Sequence, residues 1–105
     1  MHFYSWNLGD PLPLSPWGIP EPLGPTKALA PDSIQAFLIP LLIADVAGNR
    51  LGYGKGFYDA YLTQAHPNAL KIGLCQFPPI TQVPELRLAY IPLDYLIEPQ
   101  QTWKF

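Results

Sequence analysis

The residues best suited to chemistry lie between Ala47 and Asp59. The stretch AGNRLGYGKG, residues 47–56, sets Arg50 and Lys55 among Gly48, Gly52, Gly54 and Gly56, and Asp59 follows three residues later. Glycines let a backbone take positive φ and come close to a ligand with no Cβ in the way. Lysine adds a mobile point charge and arginine a rigid, bidentate one. A buried strand before such a loop and a helix after it aim unpaired N–H groups at an anion, which the helix dipole favours. Asp59, in the first helical turn, can face the same anion through Mg²⁺, which takes carboxylate and phosphate oxygens. The chemistry these residues suit is the holding of phosphates.

The established phosphate motifs do not fit. A Walker loop needs glycine, four residues, then Gly-Lys-Ser/Thr; Gly48 stands one residue too far from Gly54, and Gly56 follows Lys55. The dinucleotide fingerprint fails as well, because Phe57 stands three after Gly54 and Asp59 three after Gly56. By spacing alone the stretch is either a nonstandard anion loop or a structural turn. Asp59 has a plainer role open to it, complementing the helix dipole. Lys55, between two glycines, has little to pack against.

The flanking elements read as α/β. IQAFLIPLLI, residues 34–43, is nearly continuous in apolar residues, which predicts a strand buried on both faces of a parallel sheet and ended near Pro40. FYDAYLTQAH, residues 57–66, predicts a helix with Phe57, Tyr61 and Ala65 on one face, closed by Pro67 and Asn68. ALKIGLC, residues 69–75, predicts the next strand and completes a crossover unit, with Cys75 as a small buried hydrophobe. Asp94–Glu98 predicts a third, closing strand, and residues 1–8, with Phe3, Tyr4 and Trp6, a short one at the start. Residues 10–31 hold seven of the fourteen prolines yet carry Leu12, Leu14, Trp17, Ile19 and Leu23, which predicts an ordered extended loop rather than a linker.

The chain has 105 residues, which suits one domain spanning 1–105. A net charge of −2 with no basic cluster argues against nucleic-acid or anionic-membrane partners. The single cysteine excludes an intrachain disulfide and a cysteine-rich zinc site. MHFYSWNLGDPLP lacks a signal-peptide pattern, so a cytoplasmic location is expected. Charged residues are only 13% of the chain, which predicts that much of its surface is covered by another subunit or a further part of the fold.

GNRLGYGKGFYDAYL is similar, nearly residue for residue, to the signature of the 5-formyltetrahydrofolate cyclo-ligases (methenyltetrahydrofolate synthetases). FLIPLLIAD resembles that family's strand before the loop, SPWGIPEP its proline-rich element, and KIGL and PLDYLIEP its later strands. The resemblance implies the C-terminal half of the cyclo-ligase fold: α/β, with a short, mostly parallel sheet and a crossover helix. It implies ATP-dependent conversion of 5-formyltetrahydrofolate to 5,10-methenyltetrahydrofolate with Mg²⁺. Carried over by position, Arg50, Gly52, Gly54, Lys55 and Gly56 would hold ATP and Asp59 the magnesium ion. Trp17, Phe57 and Tyr58 would lie near the folate, Trp17 being equally suited to plain packing.

The chain departs from the family in three ways. Phe57 stands in place of the usual tyrosine, and Ala89 and Tyr90 occupy the neighbourhood of a usual acidic residue. The N-terminal portion of the family, which also grips ATP, is not represented. A half-fold leaves one sheet edge and part of one face bare, so self-association or docking on a missing N-terminal portion is expected. The alternative is a non-catalytic remnant or a nucleotide-binding or assembly module.

Overall fold

The computed structural model describes residues 2–22, 28–52, 57–84 and 91–105, without the Phe57 side chain. Two compact units emerge, Met1–Ala30 and Pro31–Phe105.

In the first unit the expected strand over residues 1–8 does not form among the described residues. The segment runs instead into a tight turn at Gly9 (φ 97°), where the Asn7 amide donates to Asp10 Oδ2 at 2.8 Å and the Asp10 amide to the Asn7 carbonyl at 2.9 Å. The proline-rich stretch takes its order from local turns, as Ser, Gly and Pro allow. The Ser15 amide donates to the Ile19 carbonyl at 2.8 Å, Ser15 Oγ accepts from the Trp17 and Ile19 amides, and Leu14 bridges to Pro20.

The second unit is built on a four-stranded sheet. Its strands are β1 (Ala36–Pro40), β4 (Leu70–Leu74), β5 (Tyr95–Ile97) and β6 (Thr102–Lys104), in the order β1-β4-β5-β6. The β1–β4 and β4–β5 pairs are parallel and β5–β6 antiparallel. A two-stranded antiparallel ribbon, β2 (Ile43–Ala44) and β3 (Arg50–Leu51), and one helix, α1 (Phe57–Leu62), stand between β1 and β4. The α/β architecture and the expected crossover are therefore present, and β6 adds an antiparallel strand after the one expected to close the chain.

The register sorts the side chains. Phe37, Ile39, Gly73 and Leu96 point to one face, where Tyr61 of α1 meets Phe37 edge-on with ring centroids 5.9 Å apart. Ile39 and Leu96 are 1% and 0% exposed, and Leu41, Leu62 and Leu93 complete this core. Gly73 is required here: a Cβ would stand 2.7 Å from both Leu41 Cδ2 and Leu93 Cδ1.

Three expectations are corrected. β1 is not buried on both faces; its pattern alternates, and Leu38 is 61% exposed because no described element covers that side. The helix ends at Leu62 rather than His66, since the Gln64 and Ala65 amides turn back to carbonyls three residues earlier. Cys75 lies just beyond β4 at intermediate exposure, its thiol 3.3 Å from the Leu42 carbonyl.

Candidate active site

The expected loop from Ala47 begins as a β-hairpin, and Asp45 organises it. Asp45 is 2% exposed. Its Oδ1 accepts from the Ala47 and Asn49 amides at 3.0 Å each, and its Oδ2 accepts from the Val83 amide at 3.1 Å. Burial alone would raise the Asp45 pKa, but these donors outweigh it and hold the carboxyl below its ordinary value. The turn closes through the Gly48 amide to the Asp45 carbonyl, with Gly48 at φ 85°. A side chain there would be strained and would meet the Leu93 carbonyl at 3.0 Å. Sequence reasoning passed over Asp45, although aspartate three residues before a glycine is a turn signature.

The hairpin delivers Arg50 to the start of α1. Arg50 is 4% exposed and its guanidinium holds elements together. One nitrogen donates to Asp59 Oδ1 at 2.5 Å and another to the Ile91 carbonyl. The structure thus joins two sequence-predicted residues, Arg50 and Asp59, in one ion pair that ties β3, α1 and the segment before β5 into a unit. The Asp59 side chain keeps 24% exposure, so it is still reachable from solvent.

The remaining expected residues are placed as follows. Gly52 does not take the positive φ expected of it, and a Cβ there would meet nothing within 4 Å. Tyr58 is part-buried, and burial pushes its phenol up. Phe57 opens α1. Trp17, in the first unit, is 84% exposed. Gly54, Lys55, Gly56, Ala89 and Tyr90 lie outside the described residues. No group of three or more His, Cys, Asp or Glu among the described residues forms a metal cage. A lone carboxylate such as Asp59 fits a magnesium ion carried in by phosphates, since Mg²⁺ is usually held by one or two carboxylates plus phosphate and water.

A groove of about 430 Å³ opens at the carboxyl ends of β1, β4 and β5, lined by Pro40, Leu41, Leu74, Cys75, Ile97 and Glu98 among others. This is where open α/β sheets take ligands. None of the described residues expected from sequence is among those named. Glu98 is 5% exposed and occupied in its own turn, Oε1 accepting from the Gln100 amide at 3.0 Å. Among the described residues no helix is long and apolar enough to cross a membrane.

Parallel strands feeding a hairpin, a glycine-rich segment and a short helix define an α/β protein whose candidate site lies on the loops after β1. The family model of the 5-formyltetrahydrofolate cyclo-ligases matches residues 1–89. The chain belongs to the 5-formyltetrahydrofolate cyclo-ligase family. It is 28% identical to a probable 5-formyltetrahydrofolate cyclo-ligase of Schizosaccharomyces pombe, over 89% of this chain and 52% of that one. It is 48% identical to the cyclo-ligase of Mycoplasma genitalium over 44 residues, 42% of this chain and 27% of that one. The structure resembles that of Aquifex aeolicus 5,10-methenyltetrahydrofolate synthetase with a TM-score of 0.70 and 30% identity, covering 91% of this chain and 48% of that one. The chain thus spans about half the length of the S. pombe and Aquifex relatives.

Proposed function

We propose that this chain supplies the ATP-loop half of a 5-formyltetrahydrofolate cyclo-ligase, a cytoplasmic enzyme of one-carbon metabolism that forms 5,10-methenyltetrahydrofolate at the expense of Mg-ATP. The observation that carries the reading is the Arg50–Asp59 pair, which joins β3 to the first turn of α1 while leaving Asp59 24% exposed. Mg-ATP would supply the phosphoryl group that turns the formyl oxygen into a leaving group. The chain's own residues need only bind and orient, because positioning and charge neutralisation dominate phosphoryl transfer. Lys55 and the backbone of Gly52, Gly54 and Gly56 would hold the phosphates. Asp59 would carry the magnesium ion on the oxygen that Arg50 does not use. Arg50, being buried, acts by holding Asp59 and the Ile91 segment in place rather than by touching phosphate. Tyr58, its phenol pushed up by burial, would offer a flat surface and a hydroxyl donor to the folate.

A second reading, a nucleotide-binding or assembly module without turnover, draws support from the engagement of Asp59 Oδ1 by Arg50. Calorimetric titration with Mg-ATP, followed by a turnover assay with 5-formyltetrahydrofolate, separates the two. Saturable binding that disappears in Lys55→Ala is expected. A folded chain that takes up no nucleotide would sink the nucleotide reading in both forms. Binding without turnover would leave the module.

A further inference from the structure

The carboxylate of Asp45 ties together two loops that lie far apart along the chain. Its Oδ1 serves the β2–β3 turn, accepting from the Ala47 and Asn49 amides. Its Oδ2 accepts from the Val83 amide at 3.1 Å and from Asn49 Nδ2 at 3.4 Å. Val83 stands on the loop after β4, 38 residues further on. Main-chain bonds run beside this tie. The Val46 amide donates to the Ile80 carbonyl at 3.0 Å, the Ile80 amide to the Ala44 carbonyl at 2.9 Å, and the Leu93 amide to the Gly48 carbonyl at 2.9 Å. The hairpin is thus held both by the loop after β4 and by the segment that leads into β5.

The turn does not need a buried charge to close. The Asp45 amide donates to the Asn49 carbonyl at 2.9 Å and the Gly48 amide to the Asp45 carbonyl at 3.0 Å, so the main chain closes it by itself. Taking a carboxylate to 2% exposure is costly unless its oxygens are well served. What the carboxylate adds is the reach to Val83. Both of its oxygens meet N–H donors, so the position calls for an acceptor on each side; an asparagine would set its NH₂ against N–H groups on one of them. From Asp45 the contacts lead on to the candidate site: Asn49, held by Oδ1, immediately precedes Arg50, and Arg50 pairs with Asp59. We infer that Asp45 is a positioning residue for Asp59: it clamps the hairpin to the loop after β4 and so fixes the place from which Arg50 presents Asp59 to Mg-ATP. Asp45 itself touches no ligand in this arrangement. Its effect on Mg-ATP rests on the proposed nucleotide reading, whereas the clamp is measurable without nucleotide.

The test compares Asp45→Asn with Ile39→Val, which trims the sheet core and leaves the bonds of Asp45 in place. Amide hydrogen exchange is read at Ile80 and Leu93, beside the clamp, and at Cys75, whose amide donates to the Ile97 carbonyl inside the sheet. Asp45→Asn should lower protection at Ile80 and Leu93 at least about tenfold relative to Cys75, while Ile39→Val lowers all three alike. Calorimetric titration with Mg-ATP should show affinity falling about tenfold in Asp45→Asn and holding in Ile39→Val. If Asp45→Asn does not fold, Asn49→Ala, which removes only the donor at 3.4 Å, should move both readings the same way by about two- to threefold. Protection lost equally at all three amides, or unchanged in whichever variant folds, would overturn the clamp. A lost clamp with unchanged nucleotide affinity would overturn the positioning role, as would an equal loss of affinity in Ile39→Val. A wild-type chain that binds no nucleotide yet shows the exchange difference would sink the nucleotide reading and leave the clamp standing.

Discussion

Removing either member of the Arg50–Asp59 pair should destabilise the fold, and the two removals should differ in a definite direction. Arg50 is 4% exposed and Asp59 24%. Taking one partner from a buried ion pair costs about 3–5 kcal/mol, because the other charge is left uncompensated. Arg50→Met keeps most of the aliphatic packing and strands a carboxylate that water can still reach, so the lower end, about 3 kcal/mol, applies. Asp59→Ala takes the carboxylate away from a guanidinium that water cannot reach, and the cost moves toward the upper end. The combined substitution should cost less than the sum of the two, by roughly 0.5–3 kcal/mol, since the second removal strands nothing.

The assay is urea unfolding followed by far-ultraviolet circular dichroism. With m near about 1.5 kcal/mol/M, Arg50→Met should lower the midpoint by about 2 M. Natural domains hold only about 5–15 kcal/mol in total, so Asp59→Ala can unfold a chain at the low end of that range. Arg50→Met is therefore the variant to measure first. Additive effects, or an Arg50→Met unfolding free energy within about 0.5 kcal/mol of wild type, would refute the view that this pair holds the hairpin, helix and Ile91 segment together.

Asp45 sets an acid limit. Its folded pKa lies below the unfolded one, so its contribution is complete above about pH 4 and is lost as the pH falls through the unfolded and then the folded value. Asp45→Asn should cost about 1–3 kcal/mol at pH 7 and flatten the stability profile below pH 4; an unchanged acid slope would show that another group governs it. Gly73→Ala should cost about 1–3 kcal/mol, because its methyl would overlap Leu41 and Leu93 inside a filled core, and thermal unfolding at neutral pH will read it.

Side-chain periodicity made β1, β4 and the start of α1 legible, because a core selects apolar residues at the positions it encloses. The same periodicity could not say who encloses them. The run 34–43 is apolar on both faces of β1, yet the described residues enclose only one of them, and Leu38 at 61% exposure marks the other. The hairpin was missed for a different reason. Two-residue strands carry no period, and β2–β3 exists because Asp45 gathers the amides of Ala47, Asn49 and Val83, the last from 38 residues away.

Charges posed the hardest problem. Arg50, Lys55 and Asp59 are the types a phosphate site needs, and spacing alone made both cations candidates for the anion. In the proposed reading burial separates the roles, a guanidinium at 4% exposure, bonded to a carboxylate and a main-chain carbonyl, being placed to brace. The nucleotide reading therefore depends on Lys55 and on glycine backbone such as that of Gly52, with Arg50 entering through the position it gives Asp59. A loss of ATP binding in Arg50→Met that is restored under conditions stabilising the fold would follow from bracing. A loss in a variant that stays fully folded would require the guanidinium to reach the phosphate, and the division of labour between the two cations would have to be redrawn.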